Sequence, residues 1–454
     1  MSSADQSPAL EEQIDQWRTY LRRRQAIQAV DVAELEDNLR EHVGGLRDAG
    51  LSSDEAFLVA VKRMGQLDAL SREFAREHSD RLWKQLVVSA DSDQTHAAAR
   101  TESLVAFALA VAAALLIKSP LLFGIDLDRN EGFYLRNMSL FVLPLLAGYF
   151  VWKRRLSAGT VGWLATAFVA AGIFANVYPF VAQGYTEALT ALHLPIALWL
   201  MVGIAYAGGR WRQVAGRMDF IRFSGELFIY YVLIALGGGV FMAFLGMLFK
   251  AIDIDAEPFV EWVVPCGAAG AVLVAAWLVE AKQSVIENMA PVLTRLFTPL
   301  FAALLVTFLG TVLWTGRAID ISREVLIAFD LLLVVVLGLL LYSVSARNPQ
   351  SPPGTFDVLQ VVLVISALVA DAAALWAIAA RISEFGFSPN RVAALGENLI
   401  LLVNLAWAAV LYIRFLRGRA SFAGVEQWLT AYLPVYFAWA VIVVIFFPPL
   451  FGFI

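Results

Sequence analysis

From residue 102 to the C-terminus the chain is a succession of apolar runs separated by short polar stretches. They lie near 102–117, 137–152, 160–181, 190–207, 225–249, 260–279, 296–315, 324–344, 357–380, 395–414 and 429–450. Most approach the roughly 20 residues that a helix needs to cross a hydrocarbon core of about 30 Å. Backbone N–H and C=O groups in lipid must be satisfied within their own segment, which at this run length means α-helix. The pattern therefore predicts an all-α fold, a polytopic transmembrane bundle of about eleven spans. Composition agrees, with 59% hydrophobic and only 16% charged residues, against about 45–50% and about 25% in a soluble domain. The last run ends in Phe446-Phe447-Pro448-Pro449, which leaves a full crossing and a re-entrant segment both open.

Charge divides the chain differently. Residues 1–85 carry 16 Asp and Glu against 12 Lys and Arg, so most of the formal −5 sits at the front. The segment MSSADQSPAL lacks the apolar centre of a signal peptide, and the N-terminus is expected in the cytoplasm. Loops on that side then hold thirteen Lys and Arg, among them Lys153, Arg154, Arg210, Arg222, Arg347 and Arg417, against eight outside. That asymmetry follows the rule that basic loops stay inside. With no basic stripe, nucleic-acid binding is not expected. The one cysteine, Cys266, excludes a disulfide scaffold.

The front end reads as a four-helix cytoplasmic domain over 1–85, joined by a linker, 86–101, to the membrane body, 102–454. Leu10, Ile14, Trp17 and Leu21 form the apolar stripe of a first helix. Asp31 is expected to cap a second, with Val32, Leu35, Leu39, Val43 and Leu46 buried and Gly50 as its stop. Ser52 with Glu55 reads as a capping box for a third helix presenting Phe57, Ala60, Val61 and Met64. Leu67, Leu70 and Phe74 begin a fourth that runs towards Trp83.

The stretch Leu35 to Phe74, LEDNLREHVGGLRDAGLSSDEAFLVAVKRMGQLDALSREF, resembles the bacterial permease prefix domain through Gly50, Ala56, Phe57 and Gly65. Family members often carry Asp-Pro after the glycine equivalent to Gly65, where this chain has Gln66-Leu67. The segments ENMAPVLTRLFTPLFAALL (287–305) and RISEFGFSPNRVAALGENLILLVNL (381–405) resemble a widespread bacterial membrane family of unknown function. These resemblances imply a bacterial inner-membrane protein with a prefix that precedes transporter permeases among other bodies. They imply no chemistry.

Ionisable groups inside a membrane are costly and default to functional candidates. Asp330 in the eighth span, Asp371 in the ninth and Asn404 in the tenth fall at similar depths in three consecutive spans. Two readings stand side by side: a cation or proton site in which Asp371 changes protonation, or buried interhelical hydrogen bonds. The loop RISEFGFSPNR adds Arg381, Glu384 and Arg391 outside that cluster, either as a gate or as a helix-hairpin turn at the headgroups. The loop GRAIDISRE, with Arg317, Asp320, Arg323 and Glu324, faces the same side, and Glu287, Asn288 and Arg295 precede the seventh span. Ala235, Gly239 and Ala243 form a small-residue stripe that suggests close helix packing.

Enzymatic parts are missing. His42, His78 and His96 precede the body and His193 stands alone; HExxH, CxxC pairs, P-loop and GxSxG are absent. Asp330 follows Ala328-Phe329 and Asp371 follows Val369-Ala370, which does not resemble the Tyr-Asp and Gly-x-Gly-Asp of intramembrane aspartyl proteases. No enzyme, metal or cofactor is expected. The expectation is a transporter or channel for a small cation or proton-coupled solute, with a cytoplasmic regulatory domain. The alternative is an envelope sensor whose residues 1–85 bind a cytoplasmic protein or another copy of the chain.

Overall fold

A computed structural model of the chain describes residues 8–22, 29–64, 100–251, 257–281, 289–315 and 323–454. The expected fourth helix, most of the 86–101 linker, His78, His96, Glu287, Asn288, Arg317, Asp320 and the side chains of Arg323 and Glu324 lie outside the description. Among the described residues there are helices and turns but no strand. The chain divides into two compact units, 1–100 and 101–454.

In the first unit α1 (Pro8–Arg22), α2 (Ala29–Asp48) and α3 (Ser53–Met64) bury Leu10, Ile14, Trp17, Leu39, Val43, Phe57, Ala60 and Val61 in one core. Each helix contributes an i, i+3/i+4 stripe, the spacing that turns apolar side chains to one face. α2 ends at Gly50, whose φ of 95° is open to glycine at little steric cost. The Leu51 N–H reaches back to the Leu46 carbonyl there, and the capping box of Ser52 with Glu55 then starts α3. Asp31 is not a cap, because α2 begins two residues before it. Arg40 bridges Glu11 of α1 and Glu36 of its own helix, and its hydrogen bonds hold the Glu11 carboxyl below its ordinary range.

Among the described residues the second unit has eleven segments long and apolar enough to cross a membrane, which makes the chain a multi-pass membrane protein. They are α4 (Arg100–Phe123), α5 (Glu131–Arg154), α6 (Ala158–Val177), α7 (Tyr185–Tyr206), α8 (Val214–Ala251), α9 (Glu257–Ala281), α10 (Met289–Thr315), α11 (Arg323–Ala346), α12 (Thr355–Phe385) and α13 (Pro389–Leu416), with α14 (Ala423–Ala431) continuing through Tyr432 into α15 (Leu433–Leu450). Bands of exposed Leu, Val, Phe and Trp cover the outside of this unit, as a lipid-facing surface should.

Helix α7 is central, packing on α5, α15 and α13, while α12 packs on α10, α11 and α13. The two ends differ in charge. Arg154, Arg210, Arg222, Arg347 and Arg417 gather at one, where Lys153 and Arg154 share Glu280 and Arg222 donates to the Ser345 carbonyl. At the other end the chain terminus settles the fate of the last apolar run. Val181 N–H donates to the Phe453 carbonyl at 3.0 Å and Thr186 N–H to the Ile454 carbonyl at 2.7 Å. The run starts beside Arg347, stacked on Phe422, and finishes at the α6–α7 turn, so it traverses the whole bundle.

The small-residue stripe of α8 does not pack. Nothing lies within 4 Å of a Cβ built on Gly237, Gly238 or Gly239, and this stretch of α8 is exposed. The apolar neighbours Leu236, Val240, Phe241 and Phe244 are exposed along one side of the segment, as lipid-facing side chains should be.

Candidate functional site

Helices α11, α12 and α13 pack against one another and each carries a carboxyl group, Asp371 buried and Asp330 and Glu397 half-buried. Asp330 lies seven residues into α11, about 10 Å at 1.5 Å per residue. Its Oδ1 accepts a hydrogen bond from Asn398 Nδ2 of α13 at 2.8 Å. Asp371 of α12 is 1% exposed, and neither of its oxygens has a hydrogen-bond partner among the described residues. It lies close enough to Asp330 to interact electrostatically. Among the described residues no Lys or Arg forms an ion pair with either group. A carboxylate in this setting would cost several kcal/mol, so the group is stable only while it holds a proton or a cation.

Asn404 belongs to another junction. Its Nδ2 donates to the Tyr436 hydroxyl at 2.5 Å and its backbone carbonyl accepts from Trp428 Nε1 at 3.1 Å, tying α13 to the α14–α15 run. The amide facing Asp330 is Asn398. The step of six residues from Asn398 to Asn404 turns the helix through about 600°, so the two side chains leave it some 120° apart.

One further acid comes into view. Glu397 lies eight residues into α13, about 12 Å along the helix, and reaches a cavity of about 870 Å³. Walls of the cavity come from α5, α7, α8, α9, α11, α13 and α15, and include Pro195 and Pro265, where helical hydrogen bonding is interrupted. Glu397 is also within electrostatic reach of Asp330. Adjacent on the helix, Glu397 and Asn398 point about 100° apart, so α13 joins the cavity to the Asp330–Asp371 cluster. Beside it, the six-membered ring of Trp439 abuts Gly396 and leaves no room for a Cβ. His193 also lines the cavity; it is 5% exposed, with Nδ1 2.9 Å from the Leu189 carbonyl.

The charged loop residues fall into separate roles. Arg391 closes the α12–α13 hairpin, donating to the Phe385 and Gly386 carbonyls at 3.1 and 2.8 Å and lying over the Phe385 ring. Glu384 is exposed and Arg381 half-buried on the last turn of α12. None of the three lines the cavity, and Asp330, Asp371 and Asn404 do not line it either. Arg295 is exposed near the start of α10.

Among the described residues no three His, Cys, Asp or Glu side chains are grouped closely enough to hold a metal ion. No known protein family, no curated protein and no solved structure matches this chain.

Proposed function

We propose that this chain is a transporter or channel of a bacterial inner membrane that moves a small cation or a proton-coupled solute. One observation supports it most: three consecutive spans bring Asp330, Asp371 and Glu397 together inside the membrane, and both Asp371 oxygens lack a partner among the described residues. Asn137 and Asn176, by contrast, pair with each other across α5 and α6 at 2.7–2.9 Å. An ionisable group at such a depth is costly and by default a functional candidate, here for a proton or cation relay. On this reading Asp371 holds a proton in the arrangement described here and exchanges it when the helices around it part. Residues 1–85 act as a cytoplasmic regulatory unit of the prefix type, the reaction involves no covalent chemistry, and no cofactor is used.

The test is flux in proteoliposomes under imposed proton, sodium, potassium and chloride gradients. The parent protein is expected to carry a cation or proton flux that Asp371→Asn loses. Equal flux in both would remove Asp371 from the path. Silence in both, with the protein folded and inserted, would contradict ion conduction and favour the sensor alternative, in which residues 1–85 bind a cytoplasmic partner.

A further inference from the structure

From the cavity at Glu397 we infer a substrate class: an amphiphilic organic cation, an alkyl or aryl ammonium or phosphonium, held with Glu397 as its counter-charge. This inference rests on the carboxyls of α11–α13 being a cation or proton site, and it adds where the cation sits and what kind it is.

Four features converge on it. The volume, about 870 Å³, falls in the range of roughly 300–1,000 Å³ usual for small-molecule sites. Its wall is overwhelmingly apolar, which suits hydrocarbon and is useless for stripping water from sodium or potassium. Its ionisable side chains are acidic or neutral: Glu397 and His193 line it, and no Lys or Arg does among the described residues. A lipid phosphate or a fatty-acid carboxylate would meet like charge with nothing to balance it. A neutral His193 does not change this sign: the Leu189 carbonyl can only accept, which makes Nδ1 the donor and, in the neutral ring, leaves Nε2 as a lone pair. Finally, the rings of Trp199, Phe228, Tyr231, Tyr436 and Trp439 line the same space, and aromatic faces attract desolvated organic cations.

The route in follows from exposure. Leu135, Ile196, Phe228 and Val334 line the cavity and are also 44–65% exposed on the lipid-facing surface. A solute already partitioned into the hydrocarbon reaches Glu397 without crossing a polar vestibule. An inorganic ion has no such route. Once there, the cation and a proton compete for one carboxyl; Asp330 lies within electrostatic reach of Glu397, and Asp371 within reach of Asp330.

The experiment is binding of tetraphenylphosphonium to the full chain in detergent, followed by calorimetry and by the fluorescence of Trp199 and Trp439. Saturable binding is expected, weakened on the order of tenfold or more in Glu397→Gln and largely retained in Glu397→Asp. Tetraphenylborate has the same shape and the opposite charge, and is expected not to compete. Equal binding of the two ions, or unchanged affinity in Glu397→Gln, would overturn the proposal and leave a lipid-filled cavity. Should the glutamine variant fail to fold, the parent still decides: tetraphenylphosphonium must protect Glu397 from dicyclohexylcarbodiimide, read by mass spectrometry of that peptide, and labelling indifferent to the cation contradicts the site. Binding needs no gradient, so the two readings fail separately. Proton flux without phosphonium binding sinks the substrate class alone, and phosphonium binding without flux sinks transport alone.

Discussion

Asp371→Leu is expected to make the protein more stable and to abolish its flux. Leucine keeps the branched shape of the side chain and replaces both unpartnered oxygens by methyl groups, in a setting where Ala370 and Ala374 are also buried. Removing a buried polar group that has no hydrogen bond recovers about 1–3 kcal/mol. Loss of function with gain of stability is the signature of a residue kept for its chemistry. The measurement is survival of the monodisperse peak after heating in detergent, run beside the flux assay. A variant that loses stability would show that Asp371 makes a structural contact, and the relay reading would lose its main support.

Arg347→Leu is expected to do the opposite and to unfold the arginine-rich end. Arg347 joins Asp357 through two hydrogen bonds of 2.9 and 3.1 Å and caps the carbonyls of Asn348, Ser351 and Pro352. Its guanidinium also lies over Phe415 and Phe422, 4.8 and 4.3 Å from the ring centres. One side chain thus joins the α11–α12 turn, the end of α13 and the start of α14. Asp357 is 5% exposed, so losing its cation leaves a buried charge, at a cost of about 3–5 kcal/mol. Arg347→Lys should recover only part of this, because an ammonium cannot reproduce the planar fork. Adding Asp357→Asn to Arg347→Leu should restore much of the loss, a coupling that a double-mutant cycle measures directly. Strict additivity of the two changes would show that the pair is not the lock.

Most of the architecture is legible in the sequence, and the reasons are physical. Eleven apolar runs yield eleven spanning segments because in lipid hydropathy and helix formation are one constraint. The stripes of α1–α3 are legible because helical periodicity acts within a few residues. Azimuth is harder to read. Asp330 and Asn404 have similar depths when the tenth span is taken from residue 395, yet depth does not say which way a side chain leaves its helix. The helix actually begins at Pro389, which moves Asn404 deeper and brings Asn398 level with Asp330.

The same displacement hides Glu397. Counted from residue 395 it sits at the headgroups, where a glutamate is unremarkable; counted from Pro389 it is two turns inside. The signal was present in Ser388-Pro389-Asn390, which reads as a helix start and marks the N1 proline of α13. His193 is hidden likewise, because α7 starts at Tyr185 and not at residue 190. The small-residue stripe of α8 misleads for another reason. Such a stripe permits a close neighbour, but only the rest of the fold can supply one.

On the relay reading a carboxyl of this cluster holds either a proton or a cation, never both, and cation binding must then release a proton. The full chain would be titrated with tetraphenylphosphonium in weakly buffered detergent, and the bulk pH followed across a series of starting values from acid to alkaline. Release approaching about one proton per bound cation is expected on the acid side, and is expected to be lost in Glu397→Gln. Saturable binding that releases no proton at any starting pH would contradict it.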